Sequence, residues 1–591
     1  MYENFPYTNM QNLNLDWFLD EFKKLTEEFK ALNLHFDSVQ EEYKALEKYV
    51  RDYFKNLDVQ NEINNKMDAL ISSGEFNNIL AAYFKNTIIV FNTVADMKNS
   101  KTLTKGSIIY VKGYFTPHDN GDGFYYIEQL DNKKYQISLQ NNLYGSLYIK
   151  PIMYSTAFGI NANTPNIDQT ELINKALKYS KKIIFNKGTY LITPYKNSGA
   201  SNTDVHGIEL NSFNDIDFND SIIKCNPVPY KWYSLITIKN CIGASIKNAT
   251  LIGEYREHTG ISSEYGFGVY VEKSATIDMK NIKSTNMLGD GFILWHDSKN
   301  ITINNCIADG CQRQGISIID GYNVDIVNCE IMNIAGTAPQ YGIDIESELS
   351  AVPTNINIKN CYIHDTVGSS IGVIKKTKNV NISDCDIDNI HVSDGAVANV
   401  NNITCHLLDC NNGDITLNNC IITNSTTNTY LNVLKALNTA FNCKLYSKNY
   451  ELNNCTVNDI MVATTSLKCY NSTINTTDDG FQLFSDVDIV DIRNCIFNAL
   501  YVCSGGTCKS FNIVDTVFNG LKSNYQVFPL YSDMLIKDIY IDNVSTPQRL
   551  FSDVASQKIR AINIYLNIPA TSISSGTVSN LKYININKSW E

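Results

Sequence analysis

Residues 289–331 read GDGFILWHDSKNITINNCIADGCQRQGISIIDGYNVDIVNCEI, and one template appears in them twice. A Gly opens an apolar run (Gly291-Phe-Ile-Leu, then Gly315-Ile-Ser-Ile). An apolar-x-apolar strand then closes in Asn-Cys (Asn305-Cys306, then Asn328-Cys329). Outward from this stretch the Gly-led runs continue as Gly268-Val-Tyr-Val, Gly342-Ile-Asp-Ile and Gly372-Val-Ile, at spacings of 23, 24, 27 and 30 residues. Asn-Cys returns at Asn240-Cys241, Asn360-Cys361, Asn419-Cys420, Asn454-Cys455 and Asn494-Cys495, with Asp384-Cys385 as a variant. A period in this range means stacked supersecondary units, because no single repeat buries its own apolar face. The fold class is therefore mostly β, a solenoid.

Before the solenoid an apolar series runs Phe18, Phe22, Leu25, Phe29, Leu32, Phe36, Val39, Tyr43, Leu46, Val50, Tyr53, Leu57. Its steps alternate 4 and 3, the a/d pattern of a coiled coil, and the bulky aromatic residues favour three strands. The expected organisation is an N-terminal segment and trimeric coiled coil over 1–85 and a small β connector over 86–150. The solenoid follows over 151–510, with a helix at Glu171–Tyr179 capping its open end, and then a looser β segment, 511–591, that ends the solenoid or caps a trimer.

The chain has 591 residues and a net charge of −12, with no compensating basic stretch, which excludes a nucleic-acid binder. It has no apolar stretch of about 18 residues and no signal-peptide core, so membrane insertion is excluded and synthesis in a cytosol is expected. The 16 cysteines read as reduced, buried thiols stacked coil on coil. Abundant Tyr (35) and Phe (25) with few Pro (12) suit strands that carry aromatic platforms for sugars.

Phe158-Gly159, the helix after it and Lys187-Gly188-Thr189-Tyr190 resemble the start of the pectate-lyase-like right-handed parallel β-helix. Arg256-Glu257-His258, Gly289-Asp290-Gly291, Arg313-Gln314-Gly315-Ile316-Ser317 and Gly336-Thr337-Ala338-Pro339 followed by Gly342-Ile343-Asp344-Ile345-Glu346 are more specific. They resemble the tailspike, or pre-neck appendage, family of short-tailed phages of Gram-positive bacteria. Asn12-Leu13-Asn14-Leu15-Asp16-Trp17 is similar to the N-termini of such tail proteins. The likeness spans about residues 85–380. It implies a homotrimer on the virion, assembled in the bacterial cytoplasm and joined to the phage tail or connector through its N-terminus. It also implies binding and hydrolysis of host cell-wall polymer, teichoic acid above all. Some members carry a self-cleaving C-terminal chaperone, and no such segment is recognisable before Glu591.

The two-residue strand period gives the site. Val269/Val271, Phe292/Leu294, Ile316/Ile318 and Ile343/Ile345 face the lumen. Tyr270/Glu272, Ile293/Trp295, Ser317/Ile319 and Asp344/Glu346 face outward, and Phe267, Asp290, Gln314 and Tyr341 precede the glycines. The catalytic candidates are Asp290, Asp344, Glu346 and His258. The substrate-binding candidates are Arg256, Arg313, Gln314, Glu264, Glu272, Tyr270, Trp295 and His296. Asp344 and Glu346, two residues apart on one face, fit an acid–base pair around a water. They equally fit two ligands of a divalent cation, and no other cofactor is implied. Cleavage of a phosphodiester would use a carboxylate-activated water, Arg313 with Arg256 on the phosphoryl oxygens, and His258 or a carboxylic acid as proton donor. Two rival readings use the same fold: a spike that binds its receptor without turnover, and a polysaccharide glycosidase or lyase. A cellular pectate lyase is disfavoured by the N-terminal coiled coil and by the lack of a Gly-His-Gly or Arg-x-Lys constellation.

Overall fold

The computed structural model describes residues 88–588, apart from 163, 165, 197–204, 261–262, 349–351, 426–430, 459–460, 476–480, 484–486, 499–507, 520–525, 529–532, 543–548, 552–557 and 568–585. The expected coiled coil at 18–57 lies outside the described residues. From Ile89 onward the chain forms one compact unit.

That unit begins with a five-stranded sheet in the order Ile88–Phe91, Ile108–Val111, Gly123–Glu128, Tyr144–Leu147, Gln136–Ser138. Its inner residues Ile109, Val111, Tyr125 and Ile127 are buried. Tyr135 fastens it to the next element, donating its hydroxyl to the Phe158 carbonyl at 2.6 Å.

Parallel pairing starts at Met153–Tyr154 with Lys182–Ile184 and continues to Ile586–Lys588. The architecture is a right-handed parallel β-helix. In its middle each coil contributes three strands, as in Phe292–Trp295, Lys299–Asn304 and Ile307–Asp309. These stack in register on Ile316–Ile319, Tyr322–Val327 and Glu330–Ile334 of the next coil. Val269, Phe292, Ile316, Ile343, Ile371 and Ile390 form one lumen column, each at most 1 % exposed. Burial of each such side chain contributes roughly 1.5–3 kcal/mol.

Two sequence signatures acquire physical causes. A Cβ at Gly291 would come within 2.7 Å of the Gly315 carbonyl oxygen, and one at Gly315 within 2.6 Å of Gly342's. The coils pass each other too closely there for any side chain. The Asn of each Asn-Cys pair turns the corner between two sheets with left-handed φ (Asn305 53°, Asn328 56°, Asn360 52°), a conformation Asn tolerates best after Gly. Their amides bond coil to coil, Asn328 to Asn304 at 3.4 Å and Asn360 to Asn328 at 3.3 Å. The Cys that follows turns into the lumen, and the 14 cysteines from Cys225 to Cys495 are buried free thiols.

The helix Thr170–Tyr179 covers the first coil with Ile173, Ala176 and Leu177. Its Asn174 amide donates to the Gly207 carbonyl (2.7 Å) and accepts from the Glu209 N–H (2.8 Å). The coil length is not constant. Corner Asn bonds span 32 residues at Asn328–Asn360 but only 17 at Asn402–Asn419 and 16 at Asn438–Asn454. The long span Asn328–Asn360 contains Asp344, and the 33-residue span Asn248–Asn281 contains the turn at 255–257 and Glu264. Among the described residues no helix is long and apolar enough to cross a membrane.

Candidate active site

The outward face of the first sheet is a ladder. Register places Tyr270, Ile293, Ser317, Asp344, Gly372, His391 and Asp409 side by side on successive rungs. Glu272 pairs with Trp295 and Ile319 with Glu346. The alternation read from the sequence holds, because Asp344 and Glu346 alternate with lumen residues Ile343 and Ile345 along the strand.

Asp290 and Asp344 anchor one network. Arg313 donates through Nη1 to Asp290 Oδ2 at 3.0 Å, and its Nε lies 3.8 Å from Glu264 Oε2. Ser317 Oγ lies 2.8 Å from the same Asp290 oxygen and close to Gln314 Oε1, two acceptors that share its single proton. Gln314 Nε2 donates to Asp344 Oδ2 at 2.6 Å. One amide and one hydroxyl thus separate the two carboxyls. Both are buried (0 % and 1 % exposed), and each keeps its Oδ1 without a hydrogen-bond partner. A buried oxygen left unmatched is costly and marks the place of a proton, water or ligand group.

Burial pushes Asp290 up to about 6, against the opposing charge of Arg313. Asp344 rises to about 7, through burial and then the negative charge of Glu346. Glu346 itself pairs with Lys375 at 2.7 Å. Arg313 is held cationic by Asp290 first, then by Asp344 and the two glutamates. Two buried carboxyls near neutrality beside a fixed cation are the arrangement acid–base chemistry requires.

Tyr341 closes this end. A Cβ at Gly372 would strike its ring at 2.6 Å, so only Gly on that rung lets the ring lie across the face. Burial and the charges of Asp344, Asp409 and Glu346 push its phenol up to about 12.

The structure brings Asp290, Asp344, Glu346, Arg313, Gln314 and Glu264 together, as expected. It distributes the others differently. Tyr270, Glu272, Trp295 and His296 belong to the rungs above, where Tyr270 donates to Glu272 (3.0 Å) and Lys239 pairs with Glu272 (3.0 Å). The expected open aromatic platform is corrected. Tyr270 is buried with Trp232, Phe267, Ile293 and Ile319 in a second apolar cluster, and Trp295 packs half-buried against it. His258 is also corrected as a partner of the acidic pair. The turn Tyr255–Glu257 folds it back onto Glu254 (2.7 Å), whose carboxyl is fully buried and pushed up by burial. Among the described residues His258 shares no hydrogen bond or ion pair with Asp290 or Asp344. Arg256 is exposed on that turn. Arg313 is no free clamp, since its side chain is 12 % exposed and committed to two carboxylates.

The cation reading finds no three-ligand cluster of His, Cys, Asp and Glu among the described residues. Gln314 and Lys375 occupy one oxygen each of Asp344 and Glu346. Sequence reasoning missed the roles of Ser317, Tyr341 and Lys375. Ser317 was legible, because it shares the outward column with Asp344 one coil away. Lys375 arrives from a turn whose reach no spacing reveals.

Residues 206–387 match a family model described as the right handed beta helix region. Two curated relatives come from Bacillus subtilis strain 168. An uncharacterized protein, YclG, is 29 % identical over 258 residues, 37 % of this chain and 43 % of that protein. The SPbeta prophage-derived uncharacterized protein YorA is 24 % identical over 282 residues, 42 % and 48 %. The chain thus spans less than half the length of these relatives. Similar solved structures include the tailspike protein gp49 of Acinetobacter baumannii bacteriophage Fri1, a capsular polysaccharide depolymerase (TM-score 0.35, 13 % identity, 78 % of this chain and 76 % of that one). The enzymatically active domain of bacteriophage CBA120 tailspike protein 2 is another (TM-score 0.38, 14 % identity, 65 % and 60 %).

Proposed function

We propose that this chain is a phage tailspike for a Gram-positive host, and that Asp290 and Asp344 hydrolyse a polymer of the host surface. The observation that carries the chemistry is the pair of buried carboxyls at about 6 and about 7, each with one oxygen held and one unpartnered. Asp290, beside Arg313, is the base that takes a proton from water. Asp344, kept protonated by burial and by Glu346, is the acid that protonates the leaving oxygen. Two coils at about 4.8 Å each separate their backbones; Gln314 and Ser317 stand between the carboxyls, and the attacking water is taken by the unpartnered Oδ1 of Asp290. Tyr341 makes no hydrogen bond through its hydroxyl among the described residues, and its ring turns away from Gly372 to admit the chain.

The charge balance selects the bond. Even with Asp344 protonated, the carboxylates Glu264, Asp290 and Glu346 outnumber Arg313 and Lys375, so a glycosidic linkage suits the site better than a phosphodiester. The polymer is a wall glycan, or teichoic acid attacked at its sugar substituents. The Bacillus origin of both relatives and the prophage origin of one support the host and the virion location. The heptad series at 18–57 supports a homotrimer joined to the phage through its N-terminus.

The test incubates the protein with purified host walls, measuring reducing ends and glycerol phosphate separately. Reducing ends from wild type, with loss of release but retained wall binding in Asp290→Asn and Asp344→Asn, is the expected result. Glycerol phosphate alone would restore the phosphodiester reading. Full release by both variants would remove the carboxyls from the mechanism.

A further inference from the structure

Two rungs past Asp344 the ladder carries a second constellation. The strand Asn389–Ser393 buries Ile390 and Val392 in the lumen and turns His391 and Ser393 outward. Register sets Asp409 of the next coil beside His391. His391 Nδ1 lies 2.7 Å from Asp409 Oδ2, and its Nε2 lies 3.0 Å from Ser393 Oγ. The carboxylate accepts the Nδ1–H, which leaves Nε2 as the acceptor to which the Ser393 hydroxyl donates. Nucleophile, base and orienting acid stand in that order, and such a triad is recognised by geometry and role, whatever the fold.

We propose that Ser393, His391 and Asp409 form a serine esterase centre that removes short acyl groups, acetyl foremost, from hydroxyls of the bound polymer. His391 keeps 18 % and Asp409 31 % of the side chain exposed, so the imidazole meets solvent. Ser393 is 4 % exposed and precedes the tight turn Asp394–Gly395, whose φ values are 55° and 77°. That shielding favours a small acyl group over a long acyl chain. Asp394 Oδ2, at 3.3 Å from Ser393 Oγ, is a competing acceptor that substrate displaces. Lys376 is bound to this turn through its N–H to the Asp394 carbonyl (3.0 Å), and its Cγ lies 3.9 Å from the Cβ position of Gly395.

In the reaction Ser393 Oγ bonds to the acyl carbon as its proton passes to His391 Nε2. The sugar oxygen leaves with that proton, giving an acyl-serine and a free hydroxyl. Water then adds to the acyl carbon, His391 takes its proton and returns it to Ser393, and a carboxylic acid departs. Only Gly372 intervenes between Asp344 and His391 on the ladder, so the centres lie about 10 Å apart, roughly the length of two sugar residues. One strand of polymer spans both. The proposal shares the ladder of the proposed function but none of its residues, and acyl release is measured apart from chain cleavage, so either can fail alone.

The test treats the full-length protein with a fluorophosphonate probe and locates the adduct by peptide mass spectrometry, with p-nitrophenyl acetate as substrate. Labelling at Ser393 is expected, with turnover falling at least about 10²-fold in Ser393→Ala and in His391→Ala. Both variants should retain the wild-type far-ultraviolet dichroism. A wild-type protein unlabelled at Ser393, or a Ser393→Ala protein that hydrolyses the ester at the wild-type rate, would overturn the proposal.

Discussion

Asp344→Asn should inactivate the protein and also make it more stable, in a way set by pH. A carboxyl raised from 3.8 to about 7 costs about 4 kcal/mol once ionised, at 1.36 kcal/mol per pH unit. The sign follows from the direction of the shift. The folded state holds the proton more tightly than the unfolded chain, so the contribution is fully present below about 3.8 and is lost as pH rises through about 7. Asparagine never ionises, and its carbonyl oxygen still accepts from Gln314. Variant and wild type should therefore be nearly equal at pH 4 and separate by about 4 kcal/mol at pH 8, the variant being the more stable. Scanning calorimetry at pH 4, 6 and 8 reads this as a rising difference in thermal midpoint, with wall digestion followed in parallel. A variant that is less stable at pH 8, or a difference flat with pH, would refute the assignment of a strained, ionisable Asp344.

Hydrolysis should follow a bell-shaped pH profile whose limbs, belonging to the pair, lie near 6 and 7. Activity should fall at lower pH as Asp290 takes up a proton and at higher pH as Asp344 loses its own. Arg313→Met should move the acid limb upward by about one pH unit, since the guanidinium opposes the protonation of Asp290. Gly372→Ala should displace the Tyr341 ring it would strike at 2.6 Å, raising KM for polymer several-fold with little change in thermal midpoint. Asn360→Ala should lower stability by about 1–2 kcal/mol, because Ala resists the left-handed corner, whereas Asn360→Gly should recover much of that in a denaturant melt.

The solenoid was legible because its causes are local and repeated. Gly291 and Gly315 return where backbones nearly touch, and Asn305 and Asn328 return where the chain turns left-handed. Strand parity then put Asp344 outward and Ile343 inward with no further information. The site was legible only as far as parity and stacking carry. Asp290, Gln314 and Asp344 fall on columns found by counting from the Gly that opens each coil. His258 was misplaced because the turn at 255–257 reverses toward Glu254, a detail of backbone geometry invisible to spacing. Arg313 was credited with freedom it lacks, since the sequence offers several carboxylates on that face and only coordinates show it held by Asp290 and Glu264. The partnership of His391 with Asp409 arises across one of the shortened coils, where a period of 23 to 30 residues no longer applies.

The helix at Thr170–Tyr179 has a consequence for how the molecule behaves among its own kind. A stack of parallel strands ends in a row of unspent backbone donors and acceptors, a template onto which another copy could add. Asn174 consumes two of those groups with its own amide, and the apolar helix face seals the opening beside them. A chain deprived of that lid would offer those groups to another copy, so these ten residues guard one end of the stack.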